Sequence, residues 1–476
     1  MNKTIQRFDP KTSPLPHQLE TINFIIKNAI VALFDEQGLG KTKIVIDALS
    51  LDMQENKIQG VLVIAPMSLL LNWEQEVEKH SYLLPIVIKG SKREKRYRYL
   101  TGANFYILNY ESVIYELQRV KRFCKSRKVA IVLDESARIK DPESKTAQSV
   151  FQLSKLSVKR IIISGTPIAN KPYDIWSQYY FLDHGSLLSD DYKSFKSKFN
   201  IKNVEYKKNL EELHECINKN SIRRLKEDIL LLPEKVYSNV YVELSGKQLD
   251  LYESLCDELK IEITNYQGEV IIDESEAILK KLLRLTQIVS NPYLIDKSYN
   301  ETPVKFSKLD ELVNNIIAMN EKIVIWTSFV DNIRLLKNRY KIFSPLEIYG
   351  ETSIKERAEH VNIFQNSEKN KIMILNPSAA REGLTLTRAN NAIYLDRSFN
   401  LVDYLQSQDR IHRISQEKEC TIYKLIGKDT IDEYIDKYME VKSDIAKFLQ
   451  GDKPKIENRV FRFFNNKTHI LKALGG

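Results

Sequence analysis

The chain predicts an α/β fold in two lobes, each a parallel sheet covered by helices on both faces. Three observations carry this. Its 476 residues exceed a single core, since domains cluster at roughly 100–150 residues. Short, continuous apolar runs alternate with helical patterns, as strands buried on both faces do. That rhythm occurs twice, on either side of a charged stretch in which it fades.

In the first half the runs are Ile30-Val31-Ala32-Leu33-Phe34, Val61-Leu62-Val63-Ile64-Ala65, Phe105-Tyr106-Ile107-Leu108, Val129-Ala130-Ile131-Val132-Leu133 and Arg160-Ile161-Ile162-Ile163-Ser164. In the second they are Ile323 to Trp326, Leu346 to Tyr349, Lys371 to Leu375, Ala392 to Leu395 and Thr421 to Leu425. From about Asp183 to Thr302 charged helical patterns dominate, such as Leu210 to Lys219 and Gly246 to Lys260, and these are expected to be helical insertions on the lobes. The expected domains are 1–235 with an insertion from about 183, 236–450 with an insertion to about 302, and an appendage over 451–476, with the lobe boundary near Leu232-Pro233.

Hydrophobic residues make up 43% and charged residues 28%, a globular rather than a disordered composition. Lys and Arg outnumber Asp and Glu by 72 to 63, giving net +9. That excess favours an anionic polymer as partner, although ordinary lysine-rich composition produces it too. Cys124, Cys216, Cys256 and Cys420 form no close pair, which argues against a zinc ribbon or a disulfide framework and for a reducing compartment. The segment Met1 to Phe8 lacks an apolar signal core, and no stretch reaches 18 uninterrupted apolar residues. A cytoplasmic protein, neither exported nor membrane-embedded, is expected.

Asp35-Glu36-Gln37-Gly38-Leu39-Gly40-Lys41-Thr42 lies between an apolar strand run and the helical stretch Lys43 to Leu49. A strand, a glycine-containing loop and a helix start, in that order, cradle phosphate. Gly38 and Gly40 let backbone N–H groups approach phosphate oxygens, Lys41 reaches the terminal phosphates, and the Thr42 hydroxyl suits Mg²⁺. The usual pattern asks for Gly where Asp35 stands, so a glycine-containing turn before a surface helix is the alternative.

Val132-Leu133-Asp134-Glu135 ends a buried-strand pattern with two acids. That placement fits a metal-binding Asp134 and a water-orienting Glu135 at a strand's C-terminal edge. Arg410 and Arg413 are three apart, which predicts one shared helical face. Guanidinium groups suit the developing charge of a γ-phosphate because they stay ionised and form forked bonds; a solvated basic helix is the alternative.

With these segments in order, the chain resembles Swi/Snf-type DNA translocases of helicase superfamily two. Leu15-Pro16-His17-Gln18-Leu19-Glu20 is similar to the family's adenine-reading Q motif, and Asp35 to Thr42 to its DEMGLGKT, in which an acid also stands first. Val63 to Leu69 through Asn72-Trp73 resembles motif Ia, Asp134 to Pro142 motif II, and Ser164-Gly165-Thr166-Pro167-Ile168 with Asn170 motif III. Arg223 to Asp228, Leu232 to Lys235, Leu283 to Gln287 and Asn291 to Leu294 resemble segments that set this family apart from generic helicases. Trp326 to Phe329, Arg381 to Leu386 and Asp409 to Gln416 resemble motifs IV, V and VI.

The resemblance spans about Leu15 to Leu449. It implies two tandem RecA-like lobes, ATP and Mg²⁺ as cofactors, and duplex DNA gripped without regard to sequence, because phosphates carry no base information. It implies that Gln18 contacts adenine, that Gly383 lies at the nucleotide, and that Arg410 and Arg413 complete the site from the second lobe. Ser164 and Thr166 are implied to couple nucleotide state to DNA, and Pro66, Ser68, Thr327 and Ser328 to touch the DNA backbone.

Three departures stand out. Ala137 occupies the place of the family's usual His in motif II, which weakens a link to motif III; Arg381-Glu382 replaces glycines in motif V; and Ser164 replaces the commoner Thr. Six basic residues against one acid over Lys89 to Arg98 suit either DNA phosphates or a solvated helix face. In Arg459 to Phe464, packing is favoured over base stacking. His412 is expected to hydrogen-bond locally rather than bind metal.

The expected activity is ATP-driven movement along duplex DNA. Its rivals are a strand-separating DNA or RNA helicase and a nucleotide-switched interaction module. The helical insertions or the appendage could carry a protein partner. Scarce Gly and Pro beside abundant Lys, Asn and Ile hint at an AT-rich bacterial or phage genome, hence a nucleoid location when on DNA.

Overall fold

The structure is a computed structural model that describes residues 10–168, 170–200, 203–230, 232–265, 276–457, 459, 460 and 463. The segment Met1 to Phe8, half of the aromatic-basic stretch Arg459 to Phe464 (461, 462 and 464), and 464–476 of the expected appendage lie outside the described residues. By internal contacts the chain divides into two compact units. Unit 1 holds the described residues of Met1–Leu230 with Ile445–Ile456, and unit 2 those of Leu231–Asp444 with Glu457–Gly476.

Unit 1 is built on seven parallel strands: β1 (Ile30–Leu33), β2 (Gly60–Ala65), β3 (Pro85–Val87), β4 (Phe105–Asn109), β5 (Val129–Asp134), β6 (Lys159–Ile163) and β7 (Ser221–Ile222). Their order is β3-β4-β2-β5-β6-β1-β7, and every pairing is parallel. β2 and β5 are buried at every position, because helices cover both faces, as parallel sheets joined by crossovers require. Val31, Leu33, Ile44, Val63, Trp73, Val132 and Ile161 belong to one apolar cluster of this core.

Residues 445–456 group with unit 1 through specific contacts. The His214 ring stacks on Phe448 at 4.9 Å between centroids and bonds the Phe448 carbonyl at 2.8 Å. Arg223 makes a two-pronged ion pair with Asp452, Nε to Oδ1 and Nη2 to Oδ2 both at 2.7 Å.

Unit 2 contains β8 (Lys235–Val242), β9 (Ile323–Trp326), β10 (Leu346–Ile348), β11 (Ile372–Leu375), β12 (Asn391–Tyr394) and β13 (Cys420–Gly427), in the order β10-β11-β9-β12-β13-β8. These pairings are parallel as well. The pleat sends alternate side chains to opposite faces. Val324, Trp326, Met373, Leu375, Ala392 and Tyr394 share one core, and Ile323, Ile325, Ile372, Ile374 and Ile393 the other.

All ten apolar runs are strands, and the α/β expectation of two parallel, RecA-like sheets with helical insertions holds. Helices Tyr206–Lys219, Gly246–Asn265 and Glu276–Ser290 occupy the charged stretch. That stretch is not strand-free, however: β7 and the eight-residue β8 lie in it. β8 is an edge strand whose outer residues, such as Tyr237 and Tyr241, are about half exposed, so its sequence lacks the apolar continuity of a central strand.

Candidate nucleotide site and the loops around it

Phe34 follows β1, and the chain then turns through Gly38 (φ +93°) and Gly40 (φ +78°) into helix Lys41–Gln54. Side chains rarely adopt these backbone angles, which is why glycine stands there. Gly40 has a second reason: a Cβ on it would collide with the side-chain amide of Gln18. Gln18 in turn accepts from the Leu15 N–H at 2.9 Å and donates to the Leu39 carbonyl at 3.5 Å. The first helix, Pro16–Lys27, is thereby pinned to the loop.

The Lys41 ammonium donates to the carbonyls of Asp35 (2.7 Å) and Glu36 (2.9 Å). Burial pushes its pKa down, while the charges of Glu135, Asp35 and Asp134 oppose that shift. Asp35 is fully buried, and neither carboxylate oxygen has a hydrogen-bond partner among the described residues. Burial raises its pKa, opposed first by Arg224, whose Nη1 stands 3.6 Å from Oδ2.

Asp134 ends β5. Its Oδ2 accepts the Trp73 indole N–H at 2.8 Å, its Oδ1 the Glu135 backbone N–H at 2.9 Å, and its carbonyl the Tyr110 hydroxyl at 2.8 Å. Burial raises the Asp134 pKa, against the Trp73 bond and Lys41. Glu135 adopts a left-handed backbone, φ +50° and ψ +52°, a conformation that costs a non-glycine residue on the order of 1–3 kcal/mol and concentrates at functional sites.

β6, hydrogen-bonded to both β1 and β5, ends in the Ser164–Thr166 loop. Ser164 is buried, and its hydroxyl accepts the Thr166 N–H at 3.2 Å. A Cβ on Gly165 would lie 3.8 Å from the Lys41 ammonium, so this loop abuts the glycine loop. Arg223 ties the two from behind, donating to the carbonyls of Phe34 (2.6 Å) and Gly165 (3.3 Å). Thr42 opens helix Lys41–Gln54, half-buried. At the end of β2, Pro66 is buried and Ser68 half-buried beside the exposed Met67.

In unit 2, Thr327 is fully buried, and its hydroxyl donates to Asp396 Oδ2 at 2.6 Å. Asp396 also accepts from the Ser328 N–H (2.7 Å) and the Ser290 hydroxyl (2.9 Å), and Asn332 bonds Ser290 at 2.9 Å. Thr327 thus serves a buried polar cluster, while Ser328 is partly accessible. Gly383 ends a short 3₁₀ turn, Pro377–Glu382, at φ +76°.

Arg410 and Arg413 do not share a helical face. Helix Leu401–Gln408 stops before them, and residues 409–415 form turns and bends. Each guanidinium folds back on the carbonyl four residues earlier, Arg410 Nε on Gln406 (2.9 Å) and Arg413 Nε on Asp409 (3.0 Å). These bonds satisfy carbonyls left over at a helix end. Arg410 is almost wholly buried; Arg413 also reaches Thr385 Oγ1 (3.0 Å) and the Gly383 carbonyl (3.4 Å), and burial lowers its pKa. His412 bonds the Pro233 carbonyl at 2.8 Å.

Within unit 1, the sequence-predicted residues Gln18, Gly38, Gly40, Lys41, Asp134, Glu135 and Ser164 come together at the carboxyl ends of β1, β5 and β6, the edge where open parallel sheets bind ligands. Trp73, Tyr110 and Arg223 hold that edge in place, roles that sequence reasoning did not assign. Among the described residues no three His, Cys, Asp or Glu side chains form a metal cluster, and no helix is long and apolar enough to cross a membrane.

Known proteins resemble this chain along most of its length. An uncharacterized ATP-dependent helicase of Mycoplasma pneumoniae is 30% identical over 429 residues, covering 87% of this chain and 39% of that protein. The ATPase of an ISWI chromatin-remodeling complex of Saccharomyces cerevisiae is 27% identical, covering 88% of this chain and 39% of its own length. The chain therefore spans well under half the length of these curated relatives. The solved SWI2/SNF2 ATPase core of Sulfolobus solfataricus in complex with dsDNA is 30% identical, with 99% of both chains covered and a TM-score of 0.46. A helicase conserved C-terminal domain matches residues 304–415. The SNF2-related domain matches residues 17–294, more than half of the 476, and the chain belongs to that family.

Proposed function

We propose that the chain is an ATP-dependent motor that moves along duplex DNA without reading its sequence and remodels DNA or protein–DNA complexes. The observation that carries this reading is the meeting of the glycine loop, the Asp134–Glu135 pair and the Ser164–Thr166 loop on one sheet edge. The first offers backbone N–H groups and a cation, the second two carboxylates, and the third a hydroxyl-bearing segment packed against both. Family membership and the net charge of +9 support an anionic polymer as the track.

The donor set fits Mg-ATP. Gly38 and Gly40 allow close approach of phosphates, Lys41 would meet the terminal phosphates, and Gln18, buried against the loop, would meet the adenine. Thr42 and Asp134 supply hard oxygen ligands of the kind Mg²⁺ prefers. When bound, that ion would neutralise phosphate charge. Trp73 and the Glu135 N–H hold the Asp134 carboxylate in one orientation. Glu135, on its constrained backbone, would polarise the attacking water. Arg410, Arg413 and Gly383 are assigned to the nucleotide, with the two guanidiniums meeting the charge that develops on the γ-phosphate. Ser164 and Thr166 are assigned to coupling, and Pro66, Ser68 and Ser328 to the DNA backbone, with Thr327 positioning the last.

ATPase rates with duplex, single-stranded, forked and RNA substrates test the reading, alongside triplex displacement and strand-separation assays. Duplex-stimulated hydrolysis with triplex displacement and no unwinding is expected. Unwinding would favour a helicase, and absent stimulated turnover a nucleotide switch.

A further inference from the structure

Ser136 follows the catalytic glutamate, and its hydroxyl donates to Gln178 Oε1 at 2.7 Å. The other end of that amide donates to the Pro167 carbonyl at 2.9 Å and the Asp174 carbonyl at 3.2 Å. Both side chains are wholly buried. Two carbonyls facing Nε2 fix the orientation of the amide, since only a donor suits that end, and leave Oε1 for the hydroxyl. Pro167 directly follows Thr166, so one side chain bridges the loop after β5 to the loop after β6. Ala137, with only a methyl group, brings no polar side chain of its own to that link.

We propose that Gln178 is the positioning residue that transmits movement of the Ser164–Thr166 loop to Glu135. A shift of Pro167 pulls the amide, the amide pulls Ser136, and Ser136 is joined by one peptide bond to a residue in left-handed backbone. A buried network of this kind moves as a unit, because loss of the Ser136–Gln178 bond takes a partner from both a buried hydroxyl and a buried amide oxygen. The inference rests on the motor reading above.

The test compares Gln178→Met, which keeps volume and removes all three bonds, with Ser136→Ala and the double variant. Each is assayed for ATP hydrolysis with and without duplex DNA and for triplex displaced per ATP consumed. Both single variants should lose about tenfold in DNA-stimulated kcat with KM for ATP within about twofold, the pattern of a group acting in the transition state rather than in binding. Displacement per ATP should fall too, a loss that simple destabilisation does not produce. The double variant should be no worse than either single one, as for two members of one relay.

Unchanged DNA stimulation in Ser136→Ala, or additive losses in the double variant, would overturn the relay while leaving the motor intact. Should Gln178→Met fail to fold, Ser136→Ala decides alone. A wild-type chain with no DNA-stimulated turnover would overturn both.

Discussion

The Trp73 indole donates its only N–H to the Asp134 carboxylate at 2.8 Å, across 61 residues of sequence. Trp73 is fully buried on helix Leu70–His80, which follows β2 in the chain. The apolar body of the ring therefore belongs to the core, while its one polar atom aims an acid at the ligand edge. Partners behind a metal ligand commonly govern affinity, since they fix its orientation.

Trp73→Phe keeps most of the packing and removes this bond. Mg²⁺ affinity, read from the metal dependence of ATP hydrolysis, should fall by about ten- to a hundredfold. Unaltered metal dependence in a folded variant would show that Asp134 needs no such partner.

The Asp35 carboxyl is buried with no hydrogen bond among the described residues, 3.6 Å from the Arg224 guanidinium. Its pKa in the folded chain is raised, chiefly by burial, so folding favours its protonated form. The penalty for the ionised carboxylate is full above the folded pKa and is relieved as pH falls through it towards the unfolded value. Asp35→Asn should raise stability at pH 7 by about 1 kcal/mol, and its advantage in Tm over wild type should shrink on acidification. A constant or growing advantage would contradict the sign.

Arg223 gathers Phe34, Gly165 and Asp452 around one guanidinium. Asp452→Ala removes the charge-assisted pair and should cost about 2 kcal/mol, seen as a lower urea midpoint. Lys455→Ala, at an exposed neighbouring position, should be neutral and serves as the control.

Thr327 and Ser328 are adjacent but differ in burial. Thr327→Val strips a donor from Asp396 and should destabilise the fold by about 1–3 kcal/mol. Ser328→Ala should leave Tm unchanged and weaken duplex DNA binding. The opposite assignment of effects would mean that Thr327 leaves its cluster to meet DNA.

The strands were legible because parallel strands covered on both faces must be apolar throughout, as in Ile372-Met373-Ile374-Leu375. β8 was not, since its outward residues meet solvent on a sheet edge. Gly40 and Lys41 were legible because loop, helix start and phosphate chemistry lie within eight residues. The Gln178 bridge, 42 residues from Ser136, arises only when β5 and β6 pair. A spacing of three suggested a helix at Arg410 and Arg413, yet helix Leu401–Gln408 ends first, and Arg410 bonds back to its Gln406 carbonyl while Arg413 bonds the Asp409 carbonyl just past its end.

The proposed motor requires Glu135, held at the end of β5 beside Lys41, to drive hydrolysis that duplex DNA accelerates. The direct measurement is ATP turnover of wild type and Glu135→Gln with and without duplex DNA, beside nucleotide binding by both. Strong stimulation in the wild type, and loss of turnover with binding retained in the variant, is the predicted result. Glu135→Gln hydrolysing ATP at the wild-type, DNA-stimulated rate would contradict it.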